Sequence, residues 1–130
     1  VIFIEDQGPI FYSQTRSGYL QKPFKIIKLR TMRIDSEKDG PKWSTRNDKR
    51  ITKVGRFLRL MRIDELPQLI SVLKGDMSLI GPRPERPEID EILIEKIPYY
   101  ELRYSVRPGL SGWAQVNYPY GASEKDAEEK

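Results

Sequence analysis

Histidine and cysteine are both absent from the 130 residues. Their absence excludes an imidazole base, a thiolate nucleophile, the common zinc sites and any disulfide framework. Covalent chemistry here has to run on carboxylates, hydroxyls and Lys/Arg, with a hard metal ion as the compatible helper. A chain without cysteine also suits a reducing compartment. Long apolar runs are missing too: no stretch approaches the ~18 residues that span a bilayer, and no signal-peptide pattern is present. As it stands the chain reads as soluble or peripheral. It starts in the apolar VIFI without a methionine and stops in the acidic ASEKDAEEK, so both ends are expected to be cuts in something longer.

Charge is abundant. Charged residues make up 32% of the chain, with 23 Lys and Arg against 19 Asp and Glu, a net charge of +4. This basic excess suits an anionic partner, whether a phosphate ligand, an acidic lipid surface or a nucleic acid, and is too small to choose among them. With 38% hydrophobic residues in a length typical of one domain, residues 1–130 are expected to form a single domain with a thin core.

Along the chain, PIFYSQTR, the turn-like Ser17 and Gly18, and KPFKIIKLRTM predict a β-hairpin with one wet, basic face. Its apolar positions are Phe24, Ile26 or Ile27, and Leu29. Residues 35–43, DSEKDGPKW, have no period and read as a loop. From Thr52, Val54, Phe57, Leu58 and Met61 recur at helical spacing with Lys53, Arg56, Arg59 and Arg62 between them. That pattern predicts a basic amphipathic helix, weakened by Gly55. A second helix is expected over about 67–73, opened by Pro67 and ended by Gly75 as a left-handed cap. MSLIGPRPERPE predicts a short extended segment entering a proline-stiffened loop, and a third helix is expected near 89–97. Pro108 and Gly109 suit the centre of a type II turn within 107–112, and WAQVNY reads as a closing strand.

The chemistry concentrates in RIDELPQLISVLKGDMSLIGPRPE. Asp64 and Glu65 stand just before Pro67, at the expected positive end of a helix, where ionised carboxylates and phosphates are both favoured. Neighbouring side chains on a helix diverge by about 100°, so one carboxylate can attack phosphorus while the other holds a metal. The plainer alternative is an N-cap followed by an ordinary first-turn acid. Arg83, between two prolines, is either an aimed fork for phosphate or a solvated arginine in a turn. Asp76 is a second metal ligand or a turn former. The Arg56, Arg59 and Arg62 stripe can lie on anionic lipid, bind phosphates or simply face water. Lys25, Lys28, Arg30 and Arg33 can extend the same positive field or solubilise a sheet edge.

Taken in order, KIIKLRTM, TKVGRFLRLMRIDELPQLISVLKGDMSLIGPRPE and RPGLSGWAQVN resemble the bacterial sugar transferase family, the monotopic phosphoglycosyl transferases. The resemblance covers roughly residues 8–117. It implies transfer of a sugar-1-phosphate from a UDP-sugar to polyprenol (undecaprenyl) phosphate, the step that initiates polysaccharide or glycoconjugate assembly. By it, Asp64 matches the catalytic aspartate that attacks the β-phosphate, releases UMP and holds the phospho-sugar; Glu65 matches its partner, the Mg²⁺ ligand. Arg62 and Arg83 match positions suited to phosphate contact, and Lys28, Arg30 and Arg107 are further substrate-binding candidates. Family members carry, ahead of this chain's start, a re-entrant membrane helix of which only VIFI remains here, and they continue beyond WAQVN.

The combined expectation is an α+β catalytic domain, a small hairpin sheet packed with amphipathic helices. It would lie on the cytoplasmic face of the bacterial inner membrane, with Mg²⁺ as cofactor and a UDP-sugar, polyprenol phosphate and the lipid surface as partners. A non-catalytic basic module for membrane surfaces is the alternative. Nucleic acid is not expected, because acidic residues are scattered throughout and no groove-reading motif is present. The catalytic reading requires Asp64 to have access to a cavity.

Overall fold

A computed structural model of the chain describes residues 2–36, 38 and 48–118. Most of the loop expected at 35–43, and all of the acidic tail, lie outside the described residues. Helices and strands mix as an α+β chain should, in two compact units: Val1–Ser13 with Ile27–Pro67, and Gln14–Ile26 with Gln68–Lys130.

The hairpin forms where alternation places it, but Ser17 ends the first strand and the turn runs from Gly18 to Lys22. Strands β1 (Phe11–Ser17) and β2 (Pro23–Leu29) pair as a two-stranded sheet, closed by the Gly18 N–H donating to the Lys22 carbonyl at 3.0 Å. Of the two candidate inward isoleucines it is Ile26 that is buried. Strand side chains alternate faces with a period of two, so Lys28 and Arg30 share the face of Ile26. The wet face of β2 therefore keeps Lys25 and loses Lys28, which is half-buried, while Arg30, just beyond the strand, is buried.

In the first unit, helix α1 (Ile2–Asp6) contacts helix α2 (Lys53–Leu60). The start of α2 is set by Thr52, whose hydroxyl accepts from the Gly55 N–H at 2.9 Å, as an N-cap should. Both Glu5 carboxylate oxygens accept from the next exposed donors, Lys53 N–H at 2.7 Å and Val54 N–H at 2.9 Å. The apolar stripe does not all point inward: Phe57 and Met61 are exposed, and Leu60 is 80% exposed. The seat of α2 is Gly55, where a Cβ would fall 2.0 Å from the Thr31 carbonyl oxygen. The glycine that weakens the helix locally is what lets its backbone approach the chain after β2.

In the second unit, helix α3 (Leu69–Leu73) ends as expected at Gly75, whose φ is +83°. Helix α4 (Pro87–Lys96) begins with a proline in its first turn, close to the predicted span. Its Leu93 packs with Tyr100 and Tyr104 of a 3₁₀ turn, Tyr100–Ser105, and Ile89, Ile94 and Ile97 cover the cluster. The core is thin: the buried apolar side chains among the described residues are Ile26, Met77, Leu93, Tyr100 and Tyr104.

Two expectations fail at the C-terminal side. In place of a type II turn, Gly109–Ser111 is a strand, β4, pairing parallel with β3 (Ser78–Ile80) in the register Ser78↔Gly109 and Ile80↔Ser111. Gly109 serves close approach rather than unusual dihedrals, since a Cβ there would fall 2.0 Å from the Gly81 nitrogen. WAQVN is a short helix, α5 (Trp113–Asn117), not a closing strand. The β4 strand ends at Ser111, and the Val116 N–H bonds back to the Gly112 carbonyl at 3.1 Å, so the chain turns helical at once.

Candidate active site

Helix α2 ends at Leu60 with Met61 as its C-cap, and Arg62 adopts a left-handed φ of 57°. That conformation costs a non-glycine residue roughly 1 kcal/mol, and it turns the chain directly into a 3₁₀ segment, Ile63–Gln68, with Asp64 and Glu65 in its first turn. The helical segment thus starts four residues earlier than Pro67. Pro67, lacking an N–H, cannot close an α-turn on Ile63, which keeps the segment in the tighter form. In that form consecutive side chains diverge by about 120°, so Asp64 and Glu65 address different directions.

They meet different surroundings. Glu65 is engaged by Lys28, whose ammonium donates to Oε1 at 3.1 Å, with both side chains mostly buried. Asp64 is 8% exposed, and its Oδ1 is buried with no hydrogen-bond partner among the described residues. Burial raises the Asp64 pKa above the usual carboxylate range and the neighbouring Glu65 charge raises it further, while Lys28 and then Arg59 pull it back. The site is therefore a carboxylate pair held by two cations from β2 and α2. An orphaned carboxylate oxygen in such a place is either a source of strain or a group waiting for a partner.

The other candidates fall in different settings. Arg30 is spent locally: its guanidinium donates to the Asp6 carboxylate at 2.5 Å and to the Pro9 carbonyl at 2.6 Å, an arrangement that ties α1 to the end of β2. Arg62 is exposed beside the pair. In the second unit, Arg83 sits in a loop whose backbone is anchored at each step, and Arg107 is exposed on the rim of an open cleft of about 600 Å³ lined by Val72, Met77, Leu79, Ile80 and Val106. Asp76 stands exposed in the turn after Gly75, its N–H bonded to the Ser71 carbonyl at 3.0 Å. Asp64 lines neither that cleft nor the small crevice beside Arg83.

A hard divalent ion fits the donor set of the pair. Among the described residues no cluster of three or more acidic side chains exists, so the protein can offer one or two carboxylates. Mg²⁺ is commonly held in that way, with substrate phosphates and water completing its shell. Glu65, already paired with Lys28, and Asp64 with its unpartnered Oδ1 are the carboxylates that would hold it.

Two contributors escaped the sequence reading. Arg59 belonged to a surface stripe, yet its Nε donates to the Thr31 hydroxyl at 2.9 Å and its charge acts on Asp64. The four-residue step from Gly55, which lies against Thr31, puts Arg59 on the same helix face and was the usable signal. Arg103 bonds to the Arg83 carbonyl at 2.6 Å, and nothing local in YYELRY announces it.

Comparison with known proteins bears on what such a pair does. The bacterial sugar transferase description matches residues 1–130. A UDP-N-acetylgalactosamine-undecaprenyl-phosphate N-acetylgalactosaminephosphotransferase of Aeromonas hydrophila is 47% identical over 97% of the chain. The UDP-glucose:undecaprenyl-phosphate glucose-1-phosphate transferases of Caulobacter vibrioides and Escherichia coli are 50% and 45% identical over 95% and 88% of it. The chain spans 30%, 46% and 25% of the lengths of these three relatives.

Proposed function

The chain belongs to the bacterial sugar transferase family, and from that premise we propose that it is the catalytic part of an enzyme moving a sugar-1-phosphate from a UDP-sugar to undecaprenyl phosphate. The relatives' names supply the donor and acceptor classes; they differ in the sugar, N-acetylgalactosamine in one and glucose in two, so the class of reaction is carried over and the sugar is not.

The observation that carries the reading is the Asp64 carboxylate, buried and with one oxygen unpartnered beside a Lys28-bound Glu65. In the first step an Asp64 oxygen attacks the β-phosphorus of the donor. The bond from that phosphorus to the bridging oxygen breaks, and UMP leaves with the electron pair. In the second step a phosphate oxygen of the acceptor attacks the phosphorus of the aspartyl ester, returning the carboxylate and yielding the lipid diphosphate sugar. Splitting one transfer into two displacements lets a single carboxylate serve both halves. Lys28 and Arg59 pull the Asp64 pKa down against the larger effect of burial, and so favour the ionised form that attacks. Glu65 would hold a divalent ion, which would supply positive charge to offset that of the diphosphate.

Contact with a lipid surface is part of the same proposal. Phe57, Leu60 and Met61 are exposed on α2 beside the exposed Arg56 and Arg62, which is the pairing of apolar and basic side chains that an interfacial helix presents. No helix among the described residues is long and apolar enough to cross a membrane. Incubating the full-length protein in membranes with a UDP-sugar panel and Mg²⁺ should give UMP and a sugar-phosphate adduct on Asp64 by mass spectrometry. An adduct persisting in Asp64→Asn would sink the assignment.

A further inference from the structure

Thr31 follows strand β2 and is 6% exposed. In the first unit its backbone carries the packing. The carbonyl accepts from the Thr52 N–H at 3.0 Å, where α2 begins, and Gly55 lies so close that a Cβ there would fall 2.0 Å from the same oxygen. None of this uses the side chain. A valine at this position would keep the carbonyl, the shape and a like preference for extended backbone. It would also bury no hydroxyl, a group that costs stability unless it is bonded.

The hydroxyl is bonded to a cation: it accepts from Arg59 Nε at 2.9 Å. Arg59 stands half-buried in the last turn of α2. A cation there is already favoured by the helix dipole and needs no acceptor on another segment to be stable. What the bond adds is direction, since a planar guanidinium held at Nε has the bearing of its fork restricted, which a swinging side chain does not. Lys28, on the same run of chain as Thr31, donates to Glu65 at 3.1 Å. Residues 28–31 thus bond to the chain on both sides of Asp64, at Arg59 before it and at Glu65 after it. Each bond places a positive charge that acts on the Asp64 carboxylate, one of whose oxygens is buried without a partner. Lys28 is drawn to its place by the Glu65 charge; for Arg59, Thr31 supplies the acceptor.

We propose that Thr31 is a positioning residue: its hydroxyl aims the Arg59 guanidinium at the Asp64 carboxylate, where the transferred phosphoryl group is bonded. This rests on the sugar-phosphate transfer reading. A cation oriented in advance where charge gathers stabilises the transfer without being reorganised during it.

The test is a kinetic double-mutant cycle in the full-length membrane-embedded protein, with a UDP-sugar panel as donors and with UMP release and the Asp64 adduct as readouts. Thr31→Val should lower kcat roughly ten- to thirtyfold. The donor KM should change by less than about twofold, because the group that Arg59 serves is the enzyme's own carboxylate. Thr31→Ser keeps the hydroxyl and should stay within about threefold of the wild-type kcat. In an Arg59→Met background Thr31→Val should cost almost nothing, because the group it aims is gone. A purely structural role predicts losses that multiply. Should Thr31→Val fold poorly, Thr31→Ala removes the same hydroxyl without setting a methyl against Nε and enters the same cycle. Multiplying losses, a Thr31→Val enzyme with wild-type kcat, a Thr31→Ser enzyme as slow as Thr31→Val, or an Arg59→Met enzyme at the wild-type rate each overturn the proposal. In those cases an adduct still forming on Asp64 shows that the transfer reading itself stands, whereas a wild-type protein that releases UMP from none of the donors overturns both.

Discussion

Replacing Gly55 by alanine should destabilise the protein, against the direction of helix propensity. Propensity alone favours the change by about 1 kcal/mol in a helix interior. The added Cβ, however, would fall 2.0 Å from the Thr31 oxygen and 2.7 Å from its carbonyl carbon, against the roughly 3.5 Å of an unstrained contact. These are backbone atoms, so α2 has to retreat by about 1 Å or more. Overpacking of this kind costs about 1–3 kcal/mol. Retreat also stretches two bonds that end on Thr31, from Arg59 Nε at 2.9 Å and from the Thr52 N–H at 3.0 Å, each about 1 kcal/mol. The balance is a net loss of about 2–4 kcal/mol, read as a urea midpoint lowered by about 1 M or more with an unchanged m-value. Gly75→Ala is the control: its φ is +83° and nothing lies within 4 Å of the new Cβ, so only the left-handed backbone penalises it, by about 1 kcal/mol. If Gly55→Ala proves as stable as the wild type, or less damaging than Gly75→Ala, the close seating of α2 on Thr31 is wrong. Because α2 carries Arg59 towards Asp64, the variant should also transfer sugar-phosphate more slowly.

Removing the charge at Asp64 should separate function from stability. Its folded pKa is raised by burial and by Glu65, so the protonated form is favoured in the folded state, and the ionised group costs stability once pH exceeds its folded pKa. Asp64→Asn is therefore expected to abolish the adduct while leaving the pH 7 melting temperature equal to or above wild type; a clear drop would show that the carboxylate is stabilising. Glu5 behaves in the opposite sense. Its pKa is lowered, first by the Val54 N–H that it accepts, so its contribution is present above the ordinary glutamate range and disappears as pH falls through the lower folded value. The stability gap between wild type and Glu5→Gln should accordingly be seen at pH 7 and close below about pH 4. A gap independent of pH refutes the capping role.

The parts of the fold that could be read locally are those whose cause is local. Thr52 announces a helix start because its hydroxyl satisfies a donor three residues on, Gly75 a helix end because only it takes that φ cheaply, and Pro87 a first turn because it needs no donor there. Misreadings arose where one residue type serves two ends. Gly109 in RPG signals a turn as readily as a close approach, and what decides is a Gly81 backbone 28 residues away in sequence. Strand parity already implied that Lys28 and Arg30 face the same way as Ile26; what it could not say is which face of the hairpin is covered.

Sequence alone restricted the chemistry to carboxylates, hydroxyls and Lys/Arg by omitting histidine and cysteine, put Asp64 and Glu65 side by side at the expected start of a helix, and through three ordered motifs pointed to a family. Tertiary structure decided that Glu65 is the acid Lys28 holds, that Asp64 is enclosed with an oxygen unpartnered, that Arg30 serves α1, and that Arg103 grips the Arg83 loop. The division has a physical reason. Backbone dihedrals, caps and periodicity act over a few residues and are written in the adjacent letters. An ion pair across 37 positions depends on which faces the chain brings together, and that is settled by burial summed over the whole fold.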